Sequence, residues 1–158
     1  MSIALLALGA NLGNRLANLQ AALAALPPAV TVLAQSPVYE TPPWGVTDQP
    51  AFLNMAVKVE TRQTPEELLH YLKTLESTLG RQPSVRYGPR LIDIDILFYD
   101  NLIVNLPNLT IPHPRLHERA FVLVPLADLE PAFVHPGLGL PVSALLAAVD
   151  TKGIVRHD

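Results

Sequence analysis

One short segment, residues 91–98, limits the fold more than any other. Its sequence, LIDIDILF, alternates apolar and acidic side chains before it ends in an apolar run. Because successive side chains of a β-strand point to opposite faces, the pattern predicts a strand with Asp93 and Asp95 on the same face. The opposite face is then apolar and comprises Ile92, Ile94, Ile96 and Phe98. We expect a strand that lies on a core and shows acid on one side only.

Periodic segments around this strand predict the rest of the fold. Further strands are predicted at residues 3–8, 30–35, 52–61 and 109–111. Leucines at helical spacing predict one helix that Asn14 caps and Pro27 ends, and a second that starts at a capping box on Thr64 and ends at Gly80. Short helices follow at residues 116–123 and 141–149. The order β-α-β-β-α-β predicts an α+β fold, a single-domain αβα sandwich with a ferredoxin-like core and a mainly antiparallel sheet.

Composition agrees with one domain over residues 1–158 and excludes several classes of protein. Hydrophobic residues make up 49% of the chain and charged residues 16%, which suffices for a core. No apolar run approaches the ~18 residues of a membrane span. A signal peptide requires a basic residue before its apolar segment, and none precedes residues 3–8. The chain has no cysteine, and its net charge is −3 without a basic run. We therefore expect a cytoplasmic protein that binds neither nucleic acid nor membrane. We also expect a monomer, although composition does not bear on the oligomeric state.

The paired acids suggest a metal site. Asp93 and Asp95 should have Cα atoms about 6–7 Å apart, and oxygen ligands without cysteine favour Mg²⁺. The segment just before them contains Arg81, Arg86 and Arg90, the type of side chain that a polyphosphate needs. Two alternatives stay open here: a half-solvated strand whose acids pair with these arginines, and a sugar-nucleotide transferase, which also uses D-x-D. The sequence contains neither a P-loop nor a protein-kinase signature.

Three other features bear on function. Two prolines fix the backbone of His113, and Arg119 follows, so this histidine is a candidate phosphate ligand. Residues 41–50 contain too many glycines and prolines for any regular element, and a loop of that length is usually functional. Residues 9–14, GANLGN, are interpreted as a plain turn between strand and helix. Surface or packing roles are assigned to the other histidines, His70, His117, His135 and His157.

With these residues assembled, the sequence resembles the 6-hydroxymethyl-7,8-dihydropterin pyrophosphokinases of folate biosynthesis. The resemblance runs along nearly the whole chain in five ordered blocks. These are ALGANLG at residues 7–13, YETPP at 39–43, DQPAFLN at 48–54, GPRLIDIDIL at 88–97 and IPHPRLHERAFVL at 111–123. The G-P-R-x-x-D-x-D-I segment is the most specific of them.

The resemblance implies a reaction and a set of site residues. The hydroxymethyl oxygen of the pterin attacks the β-phosphorus of ATP, pyrophosphate is transferred, and AMP leaves. Asp93 and Asp95 are implied to hold two Mg²⁺ ions and, with Arg81 and Arg90, to form the catalytic group. The implied ATP-binding residues are Glu76, Arg81, Arg90, Ile96, Thr110, His113 and Arg119. The implied pterin-binding residues are Thr41, Pro42, Pro43, Trp44, Phe52, Asn54 and Phe121.

Some positions depart from the family pattern. Ala10 stands where serine is common, Tyr87 where tryptophan is common, and the segment after Gly80 lacks the Arg-x-Arg of many members. Without the resemblance, the sequence pattern predicts that Glu76 is an ordinary, solvent-exposed acid on a helix. We expect residues 41–50, with Trp44, to close over the substrates together with residues 81–89. The rival interpretations are the sugar-nucleotide transferase and a non-catalytic pterin- or nucleotide-binding module, which would have no use for the paired acids.

Overall fold

A computed structural model describes residues 1–42, 48–80 and 91–157. The elements of the first half of the chain are β1 (Ser2–Ala10), α1 (Arg15–Ala25), β2 (Val30–Gln35), β3 (Tyr39–Thr41), β4 (Phe52–Thr61) and α2 (Pro65–Thr78). Those of the second half are β5 (Asp93–Tyr99), β6 (Val104–Leu106), β7 (Leu109–Ile111), a 3₁₀ turn (Leu116–Glu118), α3 (Ala120–Leu129), α4 (Val142–Ala147) and β8 (Val155–Arg156).

Six strands form the main sheet, in the order β5-β1-β4-β3-β8, with β2 paired to the other half of β4. Every strand pair recorded for the described ranges is antiparallel. The long strand β4 pairs with β3 through its first three residues and with β2 through its last five. A separate hairpin joins β6 to β7. The central order β5-β1-β4-β2 confirms the predicted α+β fold and its antiparallel sheet.

The two long helices begin where local chemistry predicts. The side chain of Asn14 accepts a hydrogen bond from the backbone N–H of Ala17, and Thr64 forms a complete capping box with Glu67. Gly80 follows α2 with a φ of +96°, a conformation that glycine adopts without strain. Within the described ranges, no helix is both long and apolar enough to cross a membrane.

Two apolar cores lie on the two faces of the sheet. One packs the sheet against α1 and α2, and the other packs it against α3 and α4. The alternation predicted for β4 is confirmed, because Leu53, Met55, Val57 and Val59 belong to the first core and Ala56 to the second. Of the leucines at helical spacing in the first helix, Leu19 and Leu26 are buried, whereas Leu16 is 37% exposed. The αβα sandwich therefore encloses two separate cores.

A bulge in β5 contradicts one prediction. Ile96 pairs with Leu6, but the next pair along β1 joins Leu5 to Phe98, so Leu97 is an extra residue. As a result, Ile96 packs in the first core, whereas Leu97 and Phe98 pack in the second. The prediction that Phe98 shares a face with Ile96 was wrong, because the extra residue reverses the alternation.

Other boundaries also differ from prediction. The helix expected at residues 116–123 is divided at Arg119, whose backbone is extended, and α3 then runs past Pro125 to Leu129. Residues 41–50 were expected to contain no helix or strand, but the first of them, Thr41, is the last residue of β3. β5 begins at Asp93, two residues late, and the last helix ends at Ala147. The strands that were missed, β3, β6 and β8, have two or three residues each, too few for a periodic signal.

Candidate active site

Asp93 and Asp95 lie where the alternation placed them, on the face of the sheet that packs against α3. In the register of β5 with β1, Asp95 is paired with Ala7 and Asp93 with Gly9. Ala7 contacts the core formed with α3 and α4, and paired residues of a sheet project to the same face. Both acids are half-buried, and the side chain of Asp95 is 41% exposed. The two carboxylates are therefore accessible at the start of an edge strand.

A row of residues across the sheet links the acids to the predicted pterin residues. Gly9 is paired with Asp93 on one side and with Asn54 on the other. Two strand spacings separate Asp93 from Asn54, about 10 Å. A Cβ atom on Gly9 would lie only 2.6 Å from Oδ1 of Asn54, so this position requires glycine. The row forms a flat floor with an acid at one end and an amide at the other.

Sequence reasoning missed Gly9, which was assigned to a turn. Gly9 and Ala10 are in fact the last two residues of β1. A signal was present, because a glycine that directly follows an apolar strand run often marks a close approach of another group. Here that group is the side chain of Asn54.

Three of the predicted pterin residues meet at the end of the row. Asn54 is 8% exposed, and its Nδ2 donates a hydrogen bond of 2.6 Å to Oγ1 of Thr41. Thr41 is paired with Phe52 across the β3–β4 ladder. Pro42 follows Thr41 and lies beside the turn that contains Gly153. Since one amide donor is used by Thr41, the position of the Asn54 side chain is fixed before any ligand binds.

Glu76 corrects a second interpretation, because it is not a solvated helix acid. The residue is 1% exposed, and its Oε2 accepts a hydrogen bond of 2.7 Å from the backbone N–H of Ile94. Lys73, one turn earlier on α2, lies 3.3 Å from the same carboxylate. Glu76 therefore fixes the outer edge of β5 between the two acids. Lys73 also lies 3.9 Å from Oδ1 of Asp95, a contact that the sequence did not indicate.

His113 lies two residues after β7 and approaches the acids from there. Its backbone N–H donates to the carbonyl oxygen of Leu97 at 3.0 Å, which places the ring near Asp95. Burial lowers the pKa of His113; the charge of Asp95 opposes this effect, whereas Arg119, Lys73 and Arg115 add to it. The backbone N–H of Arg115 donates to Nδ1 at 3.3 Å. The ring is therefore neutral near pH 7, with Nε2 left to carry the proton.

The remaining predicted residues divide into three groups. The guanidinium of Arg119 lies over the ring of Phe121, 5.6 Å from its centroid, on the α3 side of the sheet. Thr110 is exposed on β7, whereas the side chain of Ile96 is buried in the core with α1 and α2, on the face opposite the acids. Outside the described ranges lie Pro43, Trp44, Arg81 and Arg90, together with Arg86, Tyr87 and the expected closing segment at 81–89.

Two further side chains fix the segment that enters β4. Asn11 is 1% exposed, and its Nδ2 donates to Oε1 of Gln49 at 2.8 Å and to the carbonyl oxygen of Pro50 at 2.9 Å. Arg15 donates to the carbonyl oxygen of Ala51 at 2.9 Å and pairs with Glu40 at 2.9 Å. Sequence reasoning gave neither residue a role. Their contacts hold the approach to the Asn54 end of the row.

The family to which this arrangement belongs follows from comparison with known proteins. The sequence model of the 7,8-dihydro-6-hydroxymethylpterin-pyrophosphokinases (HPPK) matches residues 5–131, a range that contains the acids, the row and His113. The chain belongs to this family. Its activity is the transfer of pyrophosphate from ATP to hydroxymethyldihydropterin, a step of folate synthesis. The family assignment favours the pyrophosphokinase over both rival interpretations.

Relatives of this chain include a protein matched over its whole length and longer proteins matched over a part. The 2-amino-4-hydroxy-6-hydroxymethyldihydropteridine pyrophosphokinase of Methylorubrum extorquens is 46% identical over 160 residues, with 100% of both chains covered. The "Folate synthesis bifunctional protein, mitochondrial" of Arabidopsis thaliana is 50% identical over 125 residues, which cover 78% of this chain and 23% of that protein. The HPPK sequence therefore also occurs as a part of larger folate-synthesis proteins.

Solved structures agree on the fold. The Plasmodium falciparum HPPK-DHPS structure superposes with a TM-score of 0.77 at 18% identity, covering 99% of this chain and 47% of that one. A structure of HPPK-DHPS in complex with substrates gives a TM-score of 0.81 at 16% identity, covering 98% and 46%. At these identities the likeness establishes the αβα fold.

Proposed function

We propose that residues 1–158 act as one pyrophosphokinase domain that binds ATP with Mg²⁺ at Asp93 and Asp95 and the dihydropterin beside Asn54. The observation that carries the proposal is the row Asp93–Gly9–Asn54, which joins two accessible carboxylates to a fixed amide. A flat heterocycle with an amide edge requires such an amide at the side of a pocket. The acceptor alcohol would then point along the row toward the acids.

The residues present fit magnesium. Two half-buried carboxylates project from one face, and Lys73 lies 3.9 Å from Asp95. In the described part of the chain, no group of three histidine, aspartate or glutamate side chains forms a complete cage for an ion. Mg²⁺ is suited to such a site, because it commonly takes one or two carboxylates and completes its shell with phosphate oxygens and water. We propose that Asp93 and Asp95 would hold two ions, which would offset the negative charge that develops on the phosphates during transfer.

For the pterin, we propose that Asn54 reads the polar edge of the ring and that aromatic side chains hold its faces. Thr41 fixes the orientation of the Asn54 amide through the 2.6 Å hydrogen bond. Phe52 and Phe121 are both half-buried, so each retains ring surface that a flat ligand can cover. Pro42, Pro43 and Trp44 are proposed to line the same site.

For the nucleotide, we propose that His113 and Arg119 contact the phosphates. Nδ1 of His113 already accepts the backbone N–H of Arg115, which leaves Nε2–H as the donor to a phosphate oxygen. Glu76 is proposed to act at one remove, because its carboxylate is buried against Ile94 and positions the acids. Thr110 and the backbone of Ile96, whose side chain is buried in the core with α1 and α2, are proposed as further nucleotide contacts. Arg81 and Arg90 are proposed as the cations that neutralise the phosphates.

The reaction balances as a single displacement at phosphorus. The hydroxymethyl oxygen forms a bond to the β-phosphorus, and the bond from that phosphorus to the α,β-bridging oxygen breaks. AMP leaves with this oxygen, and the hydroxyl proton is released to solvent. The products are the pterin diphosphate ester and AMP.

One assay tests this proposal. The protein is incubated with ATP, Mg²⁺ and the pterin alcohol, and the nucleotides are separated over time. We expect AMP to appear in step with the consumption of the pterin, and EDTA to stop the reaction. Accumulation of ADP instead would show transfer of the γ-phosphate and contradict the proposal. The monomeric state and the cytoplasmic location stay predictions, for which sedimentation and cell fractionation are the measurements.

A further inference from the structure

Lys73 lies between two carboxylates of very different exposure. Its ammonium is 3.3 Å from both oxygens of Glu76 and 3.9 Å from Oδ1 of Asp95. The Glu76 side chain is 1% exposed, whereas those of Lys73 and Asp95 are 44% and 41% exposed. The lysine therefore extends from a buried acid, over the outer edge of β5, to the open acid of the site.

The two contacts differ in strength and in purpose. Glu76 is fixed by the backbone N–H of Ile94, so its pairing with Lys73 has a defined geometry. The contact with Asp95 is at the limit of an ion pair and open to solvent, where such pairs contribute little to stability. It can therefore be given up at small cost when another cation approaches Asp95.

A divalent ion on Asp95 would change the partners available to Lys73. The ion and the ammonium repel each other, and a carboxylate that ligates a metal has less charge left for a second cation. The triphosphate that accompanies the ion brings oxygens to the same place. A lysine has a flexible stem and three donors, which suit it to exchange one anionic partner for another and to bind phosphate as a point charge.

We propose that Lys73 is a nucleotide-binding residue. Its ammonium holds Asp95 in the substrate-free protein and turns to a phosphate oxygen of ATP once Mg²⁺ occupies Asp95. This inference rests on the proposed function of the acids as the metal site. The lowering of the His113 pKa by Lys73 agrees with an ammonium that faces the site rather than bulk solvent.

The test compares Lys73→Met with wild type and with the control Lys58→Met. Lys58 also pairs with a glutamate, Glu130, and is 33% exposed, but it makes no recorded contact with the acids. Calorimetry measures binding of α,β-methylene-ATP with Mg²⁺, and electron paramagnetic resonance measures binding of Mn²⁺ alone. Lys73→Met should weaken nucleotide binding roughly 10- to 100-fold, the loss of one charged hydrogen bond, while Mn²⁺ binds at least as tightly as in wild type. Lys58→Met should leave both affinities unchanged.

Two controls separate this role from a structural one. If Lys73 only neutralises Glu76, its removal should disturb β5 and weaken Mn²⁺ and nucleotide binding in parallel, with a lower unfolding midpoint. That result, or unchanged nucleotide affinity in Lys73→Met, would overturn the inference. Lys73→Arg keeps the charge and should restore most of the nucleotide affinity. Failure of the wild-type protein to release AMP would instead refute the proposed function itself, so the two failures are distinguishable.

Discussion

One face of the sheet has two halves that differ in what their side chains do. The half covered by α3 and α4 buries Leu5, Ala56 and Phe98, each at most 2% exposed. The other half of the same strands carries Gly9, Asn54, Asp93 and Asp95, which are small or polar. On β5 the bulge at Leu97 is the boundary between them, since it brings Phe98 beside Leu97 onto the face that the acids occupy. The same three strands thus supply stability in one half and chemistry in the other.

The largest expected effect comes from a substitution in the half covered by α3 and α4, here called the closed half. Phe98 is 1% exposed and packs against the rings of Phe133 and His135, with centroids 4.6 Å and 5.6 Å away. Phe98→Ala should lower the free energy of unfolding by about 3–5 kcal/mol, because it leaves a cavity in a filled core. Urea unfolding measures the change. Below the unfolding transition, pterin affinity should stay near that of wild type, and a loss of stability under about 1 kcal/mol would contradict the assignment.

In the half that carries the acids, here called the open half, removing charge should lower turnover and leave the free energy of unfolding nearly unchanged. Asp93→Asn and Asp95→Asn should each slow turnover about 10²-fold or more, since a metal clamp contributes several kcal/mol to the barrier. Stability should stay within about 1 kcal/mol or rise, because two like charges no longer face each other. Asp150→Asn, at an exposed position, is the matched control. Near-normal activity of both variants in Mg²⁺ would remove the metal site from this account.

A double-mutant cycle sharpens the link between Gly9 and Asn54. Asn54→Ala should weaken pterin binding by about 1–3 kcal/mol and leave the ATP analogue unaffected, because a polar edge of the ligand loses its partner. Gly9→Ala should have a similar effect, since its Cβ would lie 2.6 Å from Oδ1 of Asn54 and force the amide to shift. In the Asn54→Ala background, Gly9→Ala should add little. Additive losses in calorimetry would show that the two positions act independently.

The smallest expected effect concerns pH and the closed half. Nδ1 of His135 accepts the backbone N–H groups of Gly137 and Leu138, both at 3.0 Å, so the ring is held neutral. Burial lowers the pKa of His135, and the charge of nearby His117 lowers it further. Because the unfolded chain then binds the proton more readily, stability is complete above about pH 6.5 and falls as pH drops toward the folded pKa.

Unfolding at several pH values checks this expectation. His135→Asn retains an acceptor near Nδ1 but cannot titrate, so its stability should fall less steeply between pH 6.5 and 5. Some slope should remain in the variant, because the pKa of His113 is also lowered. The difference between the two slopes is at most about 1.4 kcal/mol per pH unit, the value for one proton. Parallel curves for both proteins would show that folding does not change the pKa of His135, and would contradict the expectation.

Local patterns predicted most elements correctly, and the failures have local causes. β4, the N-cap at Asn14 and the capping box at Thr64 were predictable because they depend on alternation or on residues three apart. The bulge in β5 was not, because one extra residue leaves no trace in an apolar run such as Ile96-Leu97-Phe98. The strand at Tyr39–Thr41 depends on its pairing with β4, and the extended backbone that divides the helix at Arg119 has no signal in the local sequence. Short elements give too few residues for a period to be read.

The sequence by itself determined that Asp93 and Asp95 share one face of their strand and that Phe52 and Asn54 share one face of theirs. It also determined that the chain resembles a pyrophosphokinase. Only the tertiary structure decided that Gly9 lies between Asp93 and Asn54, that Glu76 is buried, and that Lys73 reaches Asp95. The physical reason is one of range. A strand period and a helix cap are set by neighbours within four residues, whereas the pairing of β1 with β4 and β5, and the packing of α2 on the edge of β5, join segments far apart in the chain.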